Sequence, residues 1–231
     1  MEPGGAKRQR EALRNHFALR LVELSPREHL DVGAGGGELS RAVLARGVRS
    51  IALEPGPARD SWAGLSVLRG TAGCLPFRDN SFDWVSLRHV PHHLEDFPAA
   101  AREAWRVARS GVLLAEPWFD QTQADQRFAL RADRWLKHQD RRLGRYHGAP
   151  LSADELTAAL PPGARRRETE IETYRPERAW DVDSLEDEAR KATGGLPPLE
   201  QELSELQQLL EFARRGAMTL PGTLILTARK G

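Results

Sequence analysis

Short apolar runs alternate with helical patterns over the first half of the chain. The candidate strands are His29–Val32, Ser50–Leu53, Ser66–Leu68, Phe82–Leu87 and Val112–Ala115. Helices are predicted at 38–46, 57–63 and 95–108, after a first amphipathic helix over residues 7–23. Alternation of this kind is typical of βαβ units, whose strands form a mainly parallel sheet with helices on both faces.

The pattern changes after Glu116, where a long and highly charged segment, residues 122–143, is predicted to be helical. A further helix is expected to begin at Ser152, because Glu155 three residues later completes a capping box.

The last part of the chain adds two strands and one more helix. Arg166–Thr173 alternates enough to be a strand, and Thr223–Arg229 is a strand by composition. Four leucines repeat at intervals of four, three and four residues, which predicts an amphipathic helix that packs against the core. These leucines are Leu199, Leu203, Leu206 and Leu210.

Together the elements predict an α/β fold, a three-layer sandwich around a seven-stranded, mostly parallel sheet. The strand nearest the C-terminus is expected to be antiparallel, and a helical lid is expected as an insertion. We predict a single domain over residues 1–231. Its parts are an N-terminal helix (7–27), a cofactor-binding half (28–118), the lid (119–150) and the C-terminal part of the core (151–231).

Composition narrows the class of protein. The chain is 40% hydrophobic and 29% charged over 231 residues, which is typical of a globular domain. It has no run of eighteen apolar residues and no apolar stretch typical of a secretory signal, so neither a membrane span nor export is expected. The single cysteine excludes a disulfide framework and fits a reducing compartment, hence a cytoplasmic location. A net charge of +1 argues against a nucleic-acid partner.

The segment from His29 to Leu39 carries the most information about function. It places a strand, a turn rich in glycine and the start of a helix within a few residues. Glycines allow positive φ angles and let a ligand approach the backbone closely. A nucleotide site is therefore predicted at this turn, although the turn alone is weak evidence.

Two carboxylates and one departure from a known pattern indicate which nucleotide is bound. Glu38 stands where a dinucleotide fold prefers glycine or alanine. Asp31, two residues before the first glycine, is poorly suited to a pyrophosphate but suits a cationic ligand. S-adenosylmethionine carries an ammonium and a sulfonium and has no phosphate. Glu54, at the end of the second strand, is placed to bind both ribose hydroxyls. The alternatives are a turn acid at Asp31 and a solvated strand-end acid at Glu54.

Four segments in order and spacing resemble the class I S-adenosylmethionine-dependent methyltransferases, particularly the branch similar to the ubiquinone/menaquinone C-methyltransferases. The four segments are Leu30–Gly37, Leu53–Pro55, Leu75–Val85 and Pro91–Asp96. The Leu-Pro-Phe and Ser-Phe-Asp elements within Leu75–Val85 are specific to this branch. Motif coverage is dense over residues 28–116 and thin beyond.

The resemblance implies S-adenosyl-L-methionine as the cofactor and assigns residues to its parts. Contacts to the methionine end are implied for Asp31, the glycine turn and, near the methyl group, Arg88, whereas Glu54 would bind the ribose. Thr71 and Ala72 occupy the adenine-binding positions, although relatives usually have an aspartate where Thr71 stands. The full implied set is Asp31, Gly33, Ala34, Gly35, Glu54, Pro55, Thr71, Ala72 and Arg88.

Methyl transfer from a sulfonium needs mainly alignment, and it needs a general base only when the acceptor must lose a proton. We predict His89 and His93, just after the fourth strand, as the catalytic residues. His92 and His147 are further candidates, and the histidines could instead only order the turn. Glu116 and Trp118, after the fifth strand, are expected to face the cleft. No metal site is predicted.

The predicted reaction is methyl transfer to oxygen, nitrogen or carbon of a small organic molecule, with Phe128 and Trp135 of the lid closing over the acceptor. One alternative is an RNA or protein methyltransferase, for which Arg141–Arg142 and Arg165–Arg167 would be the basic footprint. A second alternative is a non-catalytic partner subunit that binds S-adenosylmethionine.

Overall fold

The computed structural model describes residues 5–162, 169–176 and 178–230. The helices are α1 (Gly5–Glu23), α2 (Glu38–Leu44), α3 (Phe97–Val107), α4 (Ala124–Arg142), α5 (Ala153–Ala159), α6 (Val182–Thr193) and α7 (Glu200–Arg214). The strands are β1 (Glu28–Val32), β2 (Arg49–Glu54), β3 (Ser66–Arg69), β4 (Phe82–Arg88), β5 (Ala108–Trp118), β6 (Thr169–Tyr174) and β7 (Gly222–Arg229). The basic cluster Arg165–Arg167 lies outside the described residues.

The strands form a seven-stranded sheet in the order β3-β2-β1-β4-β5-β7-β6. The pairs β1–β2, β2–β3, β1–β4 and β4–β5 are parallel. The amide of Lys230, just after β7, donates to the carbonyl of Ser110 near the start of β5 at 2.7 Å, as expected for opposite directions. The prediction of a mostly parallel sheet with one antiparallel strand near the C-terminus is confirmed.

Burial explains why the central strands were recognisable in the sequence. The last four residues of β1 and five of the seven residues of β4 are buried. Strands covered on both faces consist of near-continuous apolar runs, and such runs stand out from the charged segments around them. The strand predictions therefore agree with the structure to within a few residues at each end.

Contacts between Cα atoms divide the described chain into two compact units. The sheet unit comprises residues 14–116, 150–162, 169–173 and 224–230, and the helical unit comprises residues 5–13, 117–149, 174–176 and 178–223. In the sheet unit, α1 and α2 pack on the sheet through a core that includes Phe17, Leu39, Trp84 and Ile225. The predictions of a single domain and of a lid stay predictions.

The helical unit has its own hydrophobic core, formed by α4, α6 and α7. Its buried members include Trp135, Trp180, Leu185 and Leu209. The two longest helices of the described chain, α1 and α4, both have nineteen residues and carry many charges. Among the described residues, no helix is both long and apolar enough to cross a membrane.

Three predictions of local structure differ from the model. Residues 57–63 are not a helix but contain a single 3-10 turn, Asp60–Trp62, because Gly56 and Pro57 interrupt a segment that is already short. Helix α6 was not predicted, since Leu185 and Ala189 are its only buried residues. Helix α7 is confirmed, but the expected burial of its leucine stripe is wrong at one end. Leu199 is 61% exposed and Leu203 is 44% exposed.

Candidate functional site

A cavity of about 570 Å³ opens at the carboxyl ends of β1, β2 and β4. This is the edge of a parallel α/β sheet at which ligands commonly bind. The walls of the cavity are formed by all three strand ends and by the loop after β3. They carry both polar and apolar groups. The lining residues are Val32, Gly33, Gly35, Leu53, Glu54, Pro55, Arg59, Thr71, Ala72, His89, Val90, His93 and Leu94.

The glycine turn after β1 forms one wall of the cavity, and two of its glycines are needed for different reasons. Gly33 has a φ of +72°, and a Cβ atom added to it would lie 2.4 Å from Cγ2 of Val90. Gly35 has a φ of +57°, but a Cβ atom there would meet nothing within 4 Å. Gly33 is therefore required by packing, whereas the missing side chain of Gly35 leaves space for a ligand to come close to the turn.

Glu54 is the last residue of β2, and its carboxylate is held in place by the glycine turn. The amide of Gly35 donates to Oε2 of Glu54 at 2.9 Å. Nη2 of Arg59 lies 4.0 Å from Oε1. The indole of Trp62 donates to the carbonyl of Gly35 at 2.8 Å, which ties the turn to the 3-10 segment. Sequence reasoning had assigned no role to Arg59 or Trp62.

Asp31 lies outside the cavity wall, although the sequence suggested that it would bind the same ligand as Glu54. Its side chain is buried, and Oδ2 accepts a hydrogen bond of 2.8 Å from the hydroxyl of Ser40 on α2. Burial raises the pKa of Asp31 to about 6, and the Ser40 hydrogen bond and the Arg88 charge oppose this rise only in part.

Asp31 is one end of a buried chain of polar side chains. The hydroxyl of Ser50 donates to Ser40 at 3.3 Å, and Ser50 in turn bonds Nδ1 of His29 at 3.0 Å. Nε2 of His29 bonds the hydroxyl of Ser86 at 2.8 Å. Burial lowers the pKa of His29 to about 3, so the ring is neutral near pH 7. The chain links β1, β2, β4 and α2 beneath the cavity.

Six of the nine implied cofactor residues line the cavity, namely Gly33, Gly35, Glu54, Pro55, Thr71 and Ala72. Asp31, Ala34 and Arg88 do not belong to the lining. Arg88 instead lies close enough to Asp31 and Glu38 for their charges to act on it, while burial lowers the pKa of its guanidinium. Asp31 and Arg88 therefore interact with groups of the protein and do not line the cavity.

The two histidines predicted to be catalytic, His89 and His93, both line the cavity. His89 has a φ of +56°, an uncommon conformation for a residue other than glycine, and its amide donates to the carbonyl of Ala115 at 2.8 Å. His93 is exposed and ends the 3-10 turn Pro91–His93. The ring centroids of His92 and His93 are 4.4 Å apart, with an angle of 39° between the planes.

Glu116 was expected to face the cleft, but its carboxylate is completely buried and bonds His92. Nδ1 of His92 lies 2.9 Å from both carboxylate oxygens, and the amide of His92 donates to Oε1 at 3.3 Å. The amide of Leu151 donates to Oε2 at 3.1 Å. Parallel pairing of β4 with β5 brings this pair together across 24 residues, a contact that no local motif indicates.

The aromatic residues predicted to cover an acceptor are packed inside the helical unit. Trp135 is 4% exposed, and its indole donates to the carbonyl of Glu202 at 2.8 Å. Phe128 stacks on Phe212 with 3.6 Å between ring centroids. Trp135 is thus a core residue of that unit, which does not support the predicted contact with an acceptor.

Residues 30–115 match the model of a methyltransferase domain. This region contains the glycine turn, Glu54 and both cavity histidines. An uncharacterized methyltransferase of Mycobacterium tuberculosis (strain H37Rv) is 31% identical over 147 residues, which is 61% of this chain and 56% of that protein. The chain therefore spans little more than half the length of this relative.

Solved structures share the fold at low sequence identity. The YcgJ protein of Bacillus subtilis aligns over 93% of this chain and 98% of its own, with a TM-score of 0.61 and 19% identity. A putative methyltransferase from Bacillus halodurans aligns over 92% of this chain and 98% of its own, with a TM-score of 0.63 and 19% identity. These similarities support the fold described above.

Proposed function

We propose that this protein transfers the methyl group of S-adenosylmethionine to oxygen, nitrogen or carbon of a small organic molecule. The observation that carries the proposal is the cavity that Gly35 and Glu54 line together, with open space beside Gly35 and the carboxylate of Glu54 held by its amide. The match of residues 30–115 to a methyltransferase domain supports the same reading. The resemblance of Leu75–Val85 to the ubiquinone/menaquinone branch favours carbon as one of the acceptor atoms.

The cavity fits this cofactor in size and in the chemistry of its walls. A volume of about 570 Å³ lies within the range of ~300–1,000 Å³ for small-molecule sites. Glu54 offers carboxylate oxygens to ribose hydroxyls, and Leu53, Val90 and Leu94 supply apolar surface. Thr71 can accept one neutral hydrogen bond from an adenine amino group. Bound in this way, the cofactor supplies a methyl group that is already activated.

The chain itself must align the acceptor and, where necessary, accept a proton. Positioning alone can contribute ~7–11 kcal/mol to catalysis. His89 and His93 are the ionisable side chains of the lining that titrate near neutral pH in their unperturbed state. We propose that one of these two rings accepts the proton that the acceptor loses. We favour His93 because its side chain is the more exposed.

Two linked measurements test the proposal. Calorimetric titration should give tighter binding of S-adenosylmethionine than of NAD, and tighter binding of NAD would overturn the cofactor assignment. Purified protein should then transfer an isotopically labelled methyl group to small amines, phenols or activated carbon acids. Transfer only to RNA or protein would favour the first alternative class, and binding without transfer to any acceptor would favour the partner subunit.

A further inference from the structure

We propose that Glu116 and His92 form a positioning pair for His93. This inference rests on the proposed function, in which His93 takes the proton of the acceptor. Neither Glu116 nor His92 lines the cavity, so neither is a catalytic residue here. Both act through the ring of His93, which does line it.

The carboxylate of Glu116 is the fixed point of this arrangement. It is 0% exposed, His92 is 5% exposed, and hydrogen bonds reach the carboxylate from two backbone amides and one ring. A carboxylate buried this completely is stable only when its oxygens are hydrogen-bonded. Glu116 therefore anchors the turn after β4 to the end of β5 and to Leu151.

The hydrogen bond to Glu116 also determines which nitrogen of His92 carries a proton. Glu116 accepts from two backbone amides, and in the proposed pair it is ionised and can only accept, so Nδ1 of His92 is the donor. Nε2 is then the basic nitrogen of the neutral ring, and the ring plane is fixed by contact with both carboxylate oxygens. A partner of one ring nitrogen commonly sets the tautomer of a histidine in this way.

The fixed ring of His92 is in direct contact with the ring of His93 and so restricts the orientation of His93. The rings lie 4.4 Å apart, and His93 is held in the same short turn by the bond of its amide to the carbonyl of Val90. A proton accepted by His93 places a positive charge close to the neutral His92 ring. The negative charge of Glu116 behind that ring favours the charged form.

The proton balance of the reaction is simple. The acceptor loses a proton to a ring nitrogen of His93 and gains the methyl group. The electron pair of the broken carbon–sulfur bond stays on sulfur, which becomes a neutral thioether.

Nitrogen-detected NMR of full-length protein labelled at histidine nitrogens tests the pair without any acceptor. Wild-type His92 should show a protonated Nδ1. In Glu116→Gln an amide NH₂ replaces one accepting oxygen, so the Nδ1–H tautomer should lose population and the titration midpoint of His93 should shift. The control is Glu103→Gln, which alters a carboxylate on α3 bonded to Arg106 and Leu75 and should leave both signals unchanged.

His92→Asn keeps a donor near the position of Nδ1 but removes the ring that contacts His93. We expect it to fold and to shift the His93 midpoint, and it decides the question if Glu116→Gln does not fold. A protonated Nε2 with an unprotonated Nδ1 on neutral wild-type His92, or a His93 midpoint equal in wild type and His92→Asn, would overturn the pair. S-adenosylhomocysteine should perturb the signals of His93 and Gly35. Absence of that response, with the tautomer as expected, would instead count against the proposed function alone.

Discussion

Asp31 and Glu54 lie at the carboxyl ends of neighbouring parallel strands, yet they occupy two different regions of the sheet unit. Glu54 is on the cavity wall, where its carboxylate bonds the amide of Gly35. Asp31 is in the layer between the sheet and α2, where Ser40 bonds it and burial raises its pKa to about 6. The same functional group therefore lies on a cavity wall in one region and in a buried polar chain in the other.

The difference follows from how far along its strand each carboxylate lies. Asp31 pairs with Ala52, and Glu54 lies two residues beyond Ala52, closer to the carboxyl edge of the sheet where the cavity opens. Leu30 and Val32 point to one face of β1, and Val32 reaches the cavity. His29 and Asp31 point to the other face and join the buried polar chain with Ser40, Ser50 and Ser86. A carboxylate close to the cavity in sequence can thus be separated from it by two residues of strand length.

The largest expected effect is a loss of stability in the helical unit, where Trp135 was expected to contact an acceptor but packs in the core. Trp135→Ala should lower the free energy of unfolding by about 3–5 kcal/mol, because it removes a buried indole from the core around Trp180 and Leu209. Urea unfolding measures this loss. Tyr146→Ala, which alters an exposed aromatic residue of the same unit, is the control. A stable Trp135→Ala variant with a raised acceptor KM would instead support the lid interpretation.

The next prediction concerns the buried carboxylate and has a defined sign. Because the pKa of Asp31 is about 6 in the folded protein and near 3.8 otherwise, the native state binds more protons between these values. The contribution of protonated Asp31 to the free energy of unfolding is complete below about pH 3.8 and is lost as pH rises towards 6. Asp31→Asn removes this loss, so the stability of the variant relative to wild type should improve by about 2.4 kcal/mol between pH 4 and pH 7. Chemical unfolding at both pH values checks this, and an unchanged difference would mean that Asp31 is ionised throughout.

Substitutions of Glu54 should have the opposite pattern of effects: the free energy of unfolding should change little, whereas the affinity for the cofactor should fall clearly. Glu54→Ala is expected to weaken S-adenosylmethionine binding by roughly 1.5–3 kcal/mol, about ten- to a hundredfold. Glu54→Gln keeps an acceptor for the Gly35 amide and separates that role from ribose binding. The control is Glu95→Gln, an exposed acid outside the lining. Calorimetry showing equal affinity in wild type and Glu54→Ala would remove the ribose assignment.

The smallest expected effect is a gain in cofactor affinity from a substitution at the predicted adenine-binding position, Thr71. Thr71→Asp introduces the charged acceptor that is usual in relatives, and a charge-assisted hydrogen bond is stronger than a neutral one. We expect affinity for S-adenosylmethionine to rise by about 1 kcal/mol, roughly fivefold. Thr71→Val should lower it. Equal affinity in all three proteins would show that residue 71 does not contact the adenine.

Much of the sheet and six cavity residues could be predicted from sequence, because buried strands and a glycine turn leave strong local patterns. The capping box of Ser152 and Glu155 was predicted for the same reason and is confirmed. The pair of His92 with Glu116 left no such pattern, since it depends on the pairing of β4 with β5. The role of Asp31 could not be predicted either, because local patterns do not give the register of β1 with β2, which places Asp31 two residues further from the carboxyl edge than Glu54.

The most direct test of the account is a crystal structure of the protein grown with S-adenosylhomocysteine. We predict that the ligand lies against Gly35, that its ribose hydroxyls are within hydrogen-bond distance of Glu54, and that the side chain of Asp31 remains bonded to Ser40 without touching it. A ligand whose ribose lies away from Glu54, or whose amino group contacts Asp31 directly, would contradict the division between the two carboxylates.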